Sequence, residues 1–218
     1  MDMDQWEIIY SEILEDMGYL RSQDEASARL LRHLMINKNL IDAESLRPLM
    51  ASRVCVVGAA ATVEELADLE GTIVCAGSAA SVFAAASKFP DILVTDLDGQ
   101  IEDQIRCCSQ GAVAVIHAHG DNDRLIQRYA PLFDCPIIPT TQAGGDLVLM
   151  NFGGFTDGDR AVCMARHLGA KEIHLVGFDF ENPVLEEGED PVAKVKKLSY
   201  ARRIIFDHNP SNVSLIRT

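Results

Sequence analysis

Two aspartates one residue apart, Asp96 and Asp98 in the run Thr95-Asp96-Leu97-Asp98-Gly99, close a short apolar stretch. Carboxylates so spaced at a strand end reach one hard cation together. Magnesium takes one or two of them, with water and phosphate oxygens filling the rest of its shell. The same string also suits a solvated turn. A second apolar stretch closes on His117-Ala118-His119-Gly120-Asp121-Asn122-Asp123. Strand alternation puts His117 and His119 on one face. Zinc is disfavoured there, because no third nitrogen or sulfur ligand stands at a useful spacing. Phosphate contact or orientation of a carboxylate fits these histidines better, and a hydrogen-bonded structural histidine is the plainer alternative.

The third run is Asn151-Phe152-Gly153-Gly154-Phe155-Thr156-Asp157-Gly158-Asp159-Arg160. It follows an apolar stretch and opens a helical pattern. The two glycines permit close backbone approach, and Thr156 or Asp157 can cap the helix. The free N–H groups of a helix start favour anions. Asp157 and Asp159 there are either dipole partners or cation ligands. Recurrence favours ligands, since three successive acidic loops fall at strand ends of one expected sheet. Gly177-Phe178-Asp179 adds a fourth acidic position. Two glycine turns, Gly58-Ala59-Ala60-Ala61-Thr62 and Gly77-Ser78-Ala79-Ala80-Ser81, are neither a dinucleotide fingerprint nor a P-loop. They read equally as tight turns and as ligand contacts.

The elements that must hold these loops follow from periodicity. Short Val/Ile-rich runs at 54–57, 72–76, 92–95, 112–117, 135–139, 147–151 and 172–176 alternate with helical patterns at 63–69, 79–88, 101–108, 122–129 and 157–168. Continuous apolar strands separated by helices predict a doubly wound α/β fold, its mostly parallel sheet covered on both faces. Ligands then bind beyond the carboxyl ends of the strands. Residues 1–50 differ. Trp6, Ile9, Ile13, Leu14 and Met17 recur at helical spacing up to a stop at Gly18, and further helices are expected at 24–35 and 42–50. The expected division is an N-terminal helical cap, 1–50, and a catalytic α/β domain, 51–218. Residues 181–191 read as an acidic loop, followed by a lysine-rich helix over 191–206.

The 218 residues suffice for a proper core, and 48% hydrophobic with 24% charged residues excludes a disordered chain. A net charge of −14 argues against sequence-independent nucleic-acid binding. It would also repel a phosphorylated substrate unless a cation intervened. No apolar run reaches membrane-spanning length and no secretory leader is visible, so a cytoplasmic location without membrane contact is expected. Six cysteines without a CxxC pair are expected to be free, buried thiols. Nothing in the sequence sets the oligomeric state, and a homo-oligomer stays open.

Four strings together, VTDLDG at 94–99, HAHGDN at 117–122, TTQ at 140–142 and NFGGFTDGDRA at 151–161, resemble the archaeal 6-hydroxymethyl-7,8-dihydropterin diphosphokinases. The likeness runs from Trp6 to the lysine-rich last helix. That family is similar in fold to thiamine pyrophosphokinase catalytic domains. The first turn often reads GAGPS in the family where this chain has GAAAT, and the turn at 77–81 lacks an acidic residue that relatives carry nearby. The resemblance implies magnesium-dependent transfer of diphosphate from ATP to the pterin hydroxymethyl group, releasing AMP, in folate or methanopterin synthesis. Asp96, Asp98 and Asp157 are the expected metal ligands, with Asp121 next. Asp121 or His119 is expected to take the attacking proton. Arg160 and Lys197 are expected to contact phosphate, and Gly77, Ser78, His117, Asn122 and Thr156 to complete the nucleotide site. Two rivals remain: the same reaction on another alcohol such as thiamine, and a non-catalytic nucleotide-binding module.

Overall fold

The computed structural model describes residues 1–185 and 190–217. The chain opens with helices α1 (Met3–Met17), α2 (Arg21–Leu34) and the one-turn α3 (Arg47–Met50). Asp2 and Gln5 form a capping box on α1, and Gly18 ends that helix in the left-handed conformation expected of a stop. Strands β1 (Arg53–Val57), β2 (Thr72–Ala76), β3 (Ile92–Thr95), β4 (Val113–Ala118), β5 (Ile137–Thr141), β6 (Glu172–Val176) and β7 (Ser214–Arg217) follow. Between and after them lie α4 (Ala80–Ala86), α5 (Ile101–Ser109), α6 (Asp123–Tyr129), α7 (Asp157–His167) and α8 (Pro191–Phe206).

The strands form one parallel sheet in the order β5-β4-β3-β2-β1-β6-β7. The chain steps outward from β1 to β5, then crosses back to place β6 on the other side of β1. That reversal is the switch point where open α/β sheets leave a crevice. Here the crevice is tight. A Cβ on Gly58 would lie 2.7 Å from the Gly177 carbonyl, and Gly177 itself has φ +67 and no room for a side chain against Ala61. The helices bury both faces. Trp6, Ile13, Met164 and Ile204 pack with Val56 and Val94 on one side, and Leu31, Phe83 and Ile126 with Leu93 and Ile116 on the other.

Three expectations change. The run 147–151 is not a strand; it touches the sheet only through a Thr140–Met150 bridge, because Leu147 is fully exposed on a polar, glycine-rich loop. Residues 63–69 make turns instead of a helix. Strand β7 was not expected at all; its four residues are mostly exposed at the sheet edge and carry no apolar run. Of the acidic loop at 181–191, residues 186–189 lie outside the described residues. Among those described, no helix is long and apolar enough to cross a membrane.

Candidate active site

The cleft lies along the carboxyl ends of the strands, between the first turns of α2 and α7 and the inner side of α8. At its centre β3 ends in Asp96-Leu97-Asp98. Leu97 is buried yet has φ +71, an uncommon conformation for a non-glycine residue. Its N–H donates to Thr95 Oγ1 at 2.8 Å. That hydroxyl donates to Gln104 Oε1 at 2.6 Å, and Gln104 Nε2 donates back to the Asp98 carbonyl at 2.5 Å. Gln104 is fully buried on α5. The loop is thus bent and tied from beneath, which turns both carboxylates toward the cleft.

Asp157 meets them from α7. One ligand atom from each of Asp96, Asp98 and Asp157 lies within 4.8 Å of the others. A Cβ on Gly77 would come within 2.6 Å of Asp157 Oδ2, so only glycine at the end of β2 allows this approach. Burial and the charge of Asp96 raise Asp157 to about 8, despite the nearby Arg160. Asp159, two residues on, has another fate. It completes a capping box, accepting from the Phe155 and Thr156 N–H groups at 2.6 and 2.8 Å. The same helix start therefore holds one acid satisfied by caps and one pressed against like charge.

His119 stands between Asp96 Oδ2, 3.2 Å from its Nε2, and Asp121, which it meets through Nδ1. Burial opposes the imidazolium, but these two carboxylates outweigh it and raise His119 to about 9. Asp96 is lowered in turn: burial opposes its charge, but the hydrogen bond and charge of His119, with the Asp98 hydrogen bond and the Arg160 charge, together outweigh it. Asp121 is exposed at the mouth, lowered chiefly by His119.

The structure brings Gly77, Ser78, Asp96, Asp98, His119, Asp121, Thr156, Asp157 and Lys197 together on the cleft wall. It places three other expected site residues behind that wall. His117 is buried, pairs through Nδ1 with Thr140 Oγ1 at 2.9 Å, and leaves Nε2 without a hydrogen-bond partner; burial lowers it well below the usual imidazole range. Asn122 is also buried. Its amide donates to the Asp96 and His117 carbonyls, both at 2.8 Å, and its oxygen accepts from the His119 N–H, so it clamps the β3 and β4 loops together. Arg160 is only 2% exposed and supports the α7 start from below, donating to Asp157 Oδ1 at 2.7 Å and to the Phe155 carbonyl at 3.1 Å.

Two residues that shape the site carried no motif. Asp24 and Gln104 each sit in the buried stripe of their helix, with Ser27, Ala28 and Leu31 on α2 and with Ile101, Cys107 and Cys108 on α5. A polar residue at an apolar stripe position was the available signal. Asp24 Oδ1 accepts from the Gly120 N–H at 2.6 Å, while Oδ2 accepts from Gln142 Nε2 at 3.0 Å and from the Tyr10 hydroxyl.

Fold and site define a doubly wound α/β protein with an acidic, cation-ready cleft across the carboxyl ends of its strands. A family model described as 6-hydroxymethylpterin diphosphokinase MptE-like matches residues 30–184. Three proteins named 6-hydroxymethyl-7,8-dihydropterin pyrophosphokinase are similar along almost their whole length. The one from Pyrococcus furiosus is 39% identical, covering 94% of this chain and 93% of its own. That from Methanothermobacter thermautotrophicus is 38% identical, covering 94% of each. That from Methanocaldococcus jannaschii is 35% identical, covering 94% and 95%. The chain belongs to the 6-hydroxymethylpterin diphosphokinase MptE-like family.

Proposed function

We infer that this protein transfers diphosphate from ATP to the hydroxymethyl group of 6-hydroxymethyl-7,8-dihydropterin, releasing AMP, in folate or methanopterin biosynthesis. The carrying observation is the convergence of Asp96, Asp98 and Asp157 on one point of the cleft. These hard oxygen donors fit magnesium, whose ligands sit at about 2.0–2.1 Å, after only small rotations. Bound there with the nucleotide, magnesium would neutralise the phosphate chain and stabilise charge building up in transfer.

The chain's own residues supply position and proton handling. Asp96, Asp98 and Asp157 would hold the ion, and the Gln104 tie keeps the first two aimed. Ser78 and Thr156 line the wall beside them, and Lys197 faces them from α8. The pterin oxygen attacks the β-phosphorus, the bond to the α-phosphoryl oxygen breaks, and AMP leaves with that oxygen. The hydroxyl proton passes to the Asp121 carboxylate, which His119 holds in place as an imidazolium. Arg160 acts through Asp157, fixing its carboxylate. A cytoplasmic location is part of this reading, because ATP and the pterin alcohol are both small, water-soluble molecules. The helices before residue 50 would serve as a cap on the catalytic domain.

The test is product identity. Incubated with ATP, magnesium and the pterin alcohol, the protein should give AMP and pterin diphosphate. ADP would indicate a simple kinase, and no turnover on any alcohol a binding module.

A further inference from the structure

We infer that Asp24 is the specificity-determining residue of the acceptor subsite, receiving the exocyclic amino donor of the pterin's 2-amino-4-oxopyrimidine edge. This rests on the pterin reading above. The cleft has one more buried carboxylate than the cation site uses. Asp24 is 2% exposed, yet it lines the cleft, in the corner where the first turn of α2 meets the loops after β4 and β5. Gly120, Gln142 and Tyr10 donate to it. An ionised carboxylate has about four acceptor sites, so three protein donors hold it rigidly and leave capacity for a ligand N–H. Tyr19 and Phe155, whose ring centres lie 6.5 Å apart, add aromatic surface at the same end. An aromatic, apolar wall with a few fixed polar groups is the usual form of a heterocycle pocket.

The donor pattern selects the ring. The neutral pterin edge sets a ring N–H beside its amino donor, so no ring acceptor on that side faces the carboxylate. Adenine offers one amino donor beside a ring acceptor, which a carboxylate repels, and the aminopyrimidine of thiamine has no ring N–H beside its amino group. The position suits the chemistry as well. Gly120, bonded to Asp24, directly follows His119 and precedes Asp121. A Cβ on Gly120 would lie 2.8 Å from Gln23 Cβ and 3.1 Å from Asp24 Oδ1, so α2 rests directly on the loop that carries the proton acceptor. A ring held at Asp24 by this edge carries its hydroxymethyl group at the opposite end of the bicycle, out into the cleft.

Two measurements decide the matter. In D24N the KM for the pterin alcohol should rise about 10- to 100-fold, the usual loss for a hydrogen bond to a charged group, with the KM for ATP unchanged. In the unaltered enzyme, the pterin alcohol should exceed its 2-deamino analogue in kcat/KM by at least about tenfold, and this comparison holds even if D24N fails to fold. A pterin KM that stays put in D24N, or that rises in step with the ATP KM, overturns the assignment. So does equal use of the two alcohols. Failure of the wild-type enzyme to form AMP from the pterin alcohol instead removes the function on which the assignment rests.

Discussion

Two corners of one cleft treat the same side chain in opposite ways. At Asp24 the carboxylate is surrounded by donors from three separate elements, Tyr10 on α1, Gly120 after β4 and Gln142 after β5. At the β3 end, Asp96, Asp98 and Asp157 crowd within 4.8 Å, with His119 and Arg160 as the cationic neighbours of Asp96 and Asp157. Buried charge is tolerated when it is paired and expensive when it faces like charge. The first corner is complete as protein, whereas the second leaves electrostatic work for a ligand. The difference separates a corner whose carboxylate is held by hydrogen bonds from one where like charges face each other, the corner proposed to hold the cation.

The largest effect should follow from removing charge at the second corner. Asp96→Asn or Asp98→Asn is expected to lower turnover at least about a hundredfold at saturating magnesium, because charge stabilisation at the phosphates is lost. AMP formation measures it, with circular dichroism to show an intact fold. Near-normal rates in both variants would erase the contrast between the corners. Next comes the tie beneath the loop. Gln104→Ala strands the Thr95 hydroxyl and the Asp98 carbonyl, costing about 1–3 kcal/mol for each buried group left unpaired. It should also cut turnover about tenfold or more by loosening two ligands, and raise the magnesium needed for half-maximal rate. Wild-type kinetics combined with lowered stability would show that Gln104 is only structural.

How much of this was readable beforehand depends on the range of the interaction. The three acidic loops were legible because strand ends and turn residues are local signals, and β1, β2, β3 and β6 lie within a residue of their apolar runs. Strand β7 was not, because Ser214–Arg217 is a short exposed edge. The helix expected at 63–69 failed for a related reason: the apolar spacing was present, but of its hydrophobic residues only Leu66 is deeply buried. Within the site, periodicity could not tell which polar residues face the cleft and which stand behind it. Asn122 and Arg160 sit in motifs yet clamp from beneath, while Asp24 sits in no motif and bonds to Gly120, 96 residues away. Such partnerships exist only once the sheet has assembled.

Asp157 gives a subtler test of crowding, read in stability instead of rate. Its pKa stands near 8 in the folded chain against an ordinary 3.8. An acid whose folded value is raised favours the native state below the unfolded value, and that advantage is lost as pH rises through the folded value. Metal-free wild-type protein should therefore lose stability between about pH 4 and pH 8 from this group, whereas Asp157→Asn should show a flatter profile. Melts at pH 5 and pH 8 with a chelator should differ between the two proteins by about 1–2 kcal/mol, or roughly 2–8 °C. Magnesium at about a hundred times its Kd should restore about 2.7 kcal/mol to the wild type and less to the variant. Identical pH profiles would mean that neither burial nor the charge of Asp96 raises Asp157.

The smallest effect is expected from the cysteines, the other potentially reactive groups. All six are free and buried, and none belongs to either corner of the cleft. Burial pushes the Cys55 thiol up, which keeps it protonated and unreactive at neutral pH. Cys55 is the middle residue of β1, its Sγ 3.1 Å from the Glu70 carbonyl, and it is absent from the cleft wall that begins at Gly58. Cys55→Ala should then cost about 0.5–1.5 kcal/mol of stability and leave AMP formation unchanged. Freshly purified protein should titrate six thiols in denaturant without reductant, and almost none in the native state within minutes. Fewer than six in denaturant would reveal a disulfide that the packing of these side chains does not contain. A loss of activity in Cys55→Ala at unchanged Tm would mean that the middle of β1 reaches the cleft through the strand, and the separation of the cleft edge from the rest of the sheet would have to be redrawn.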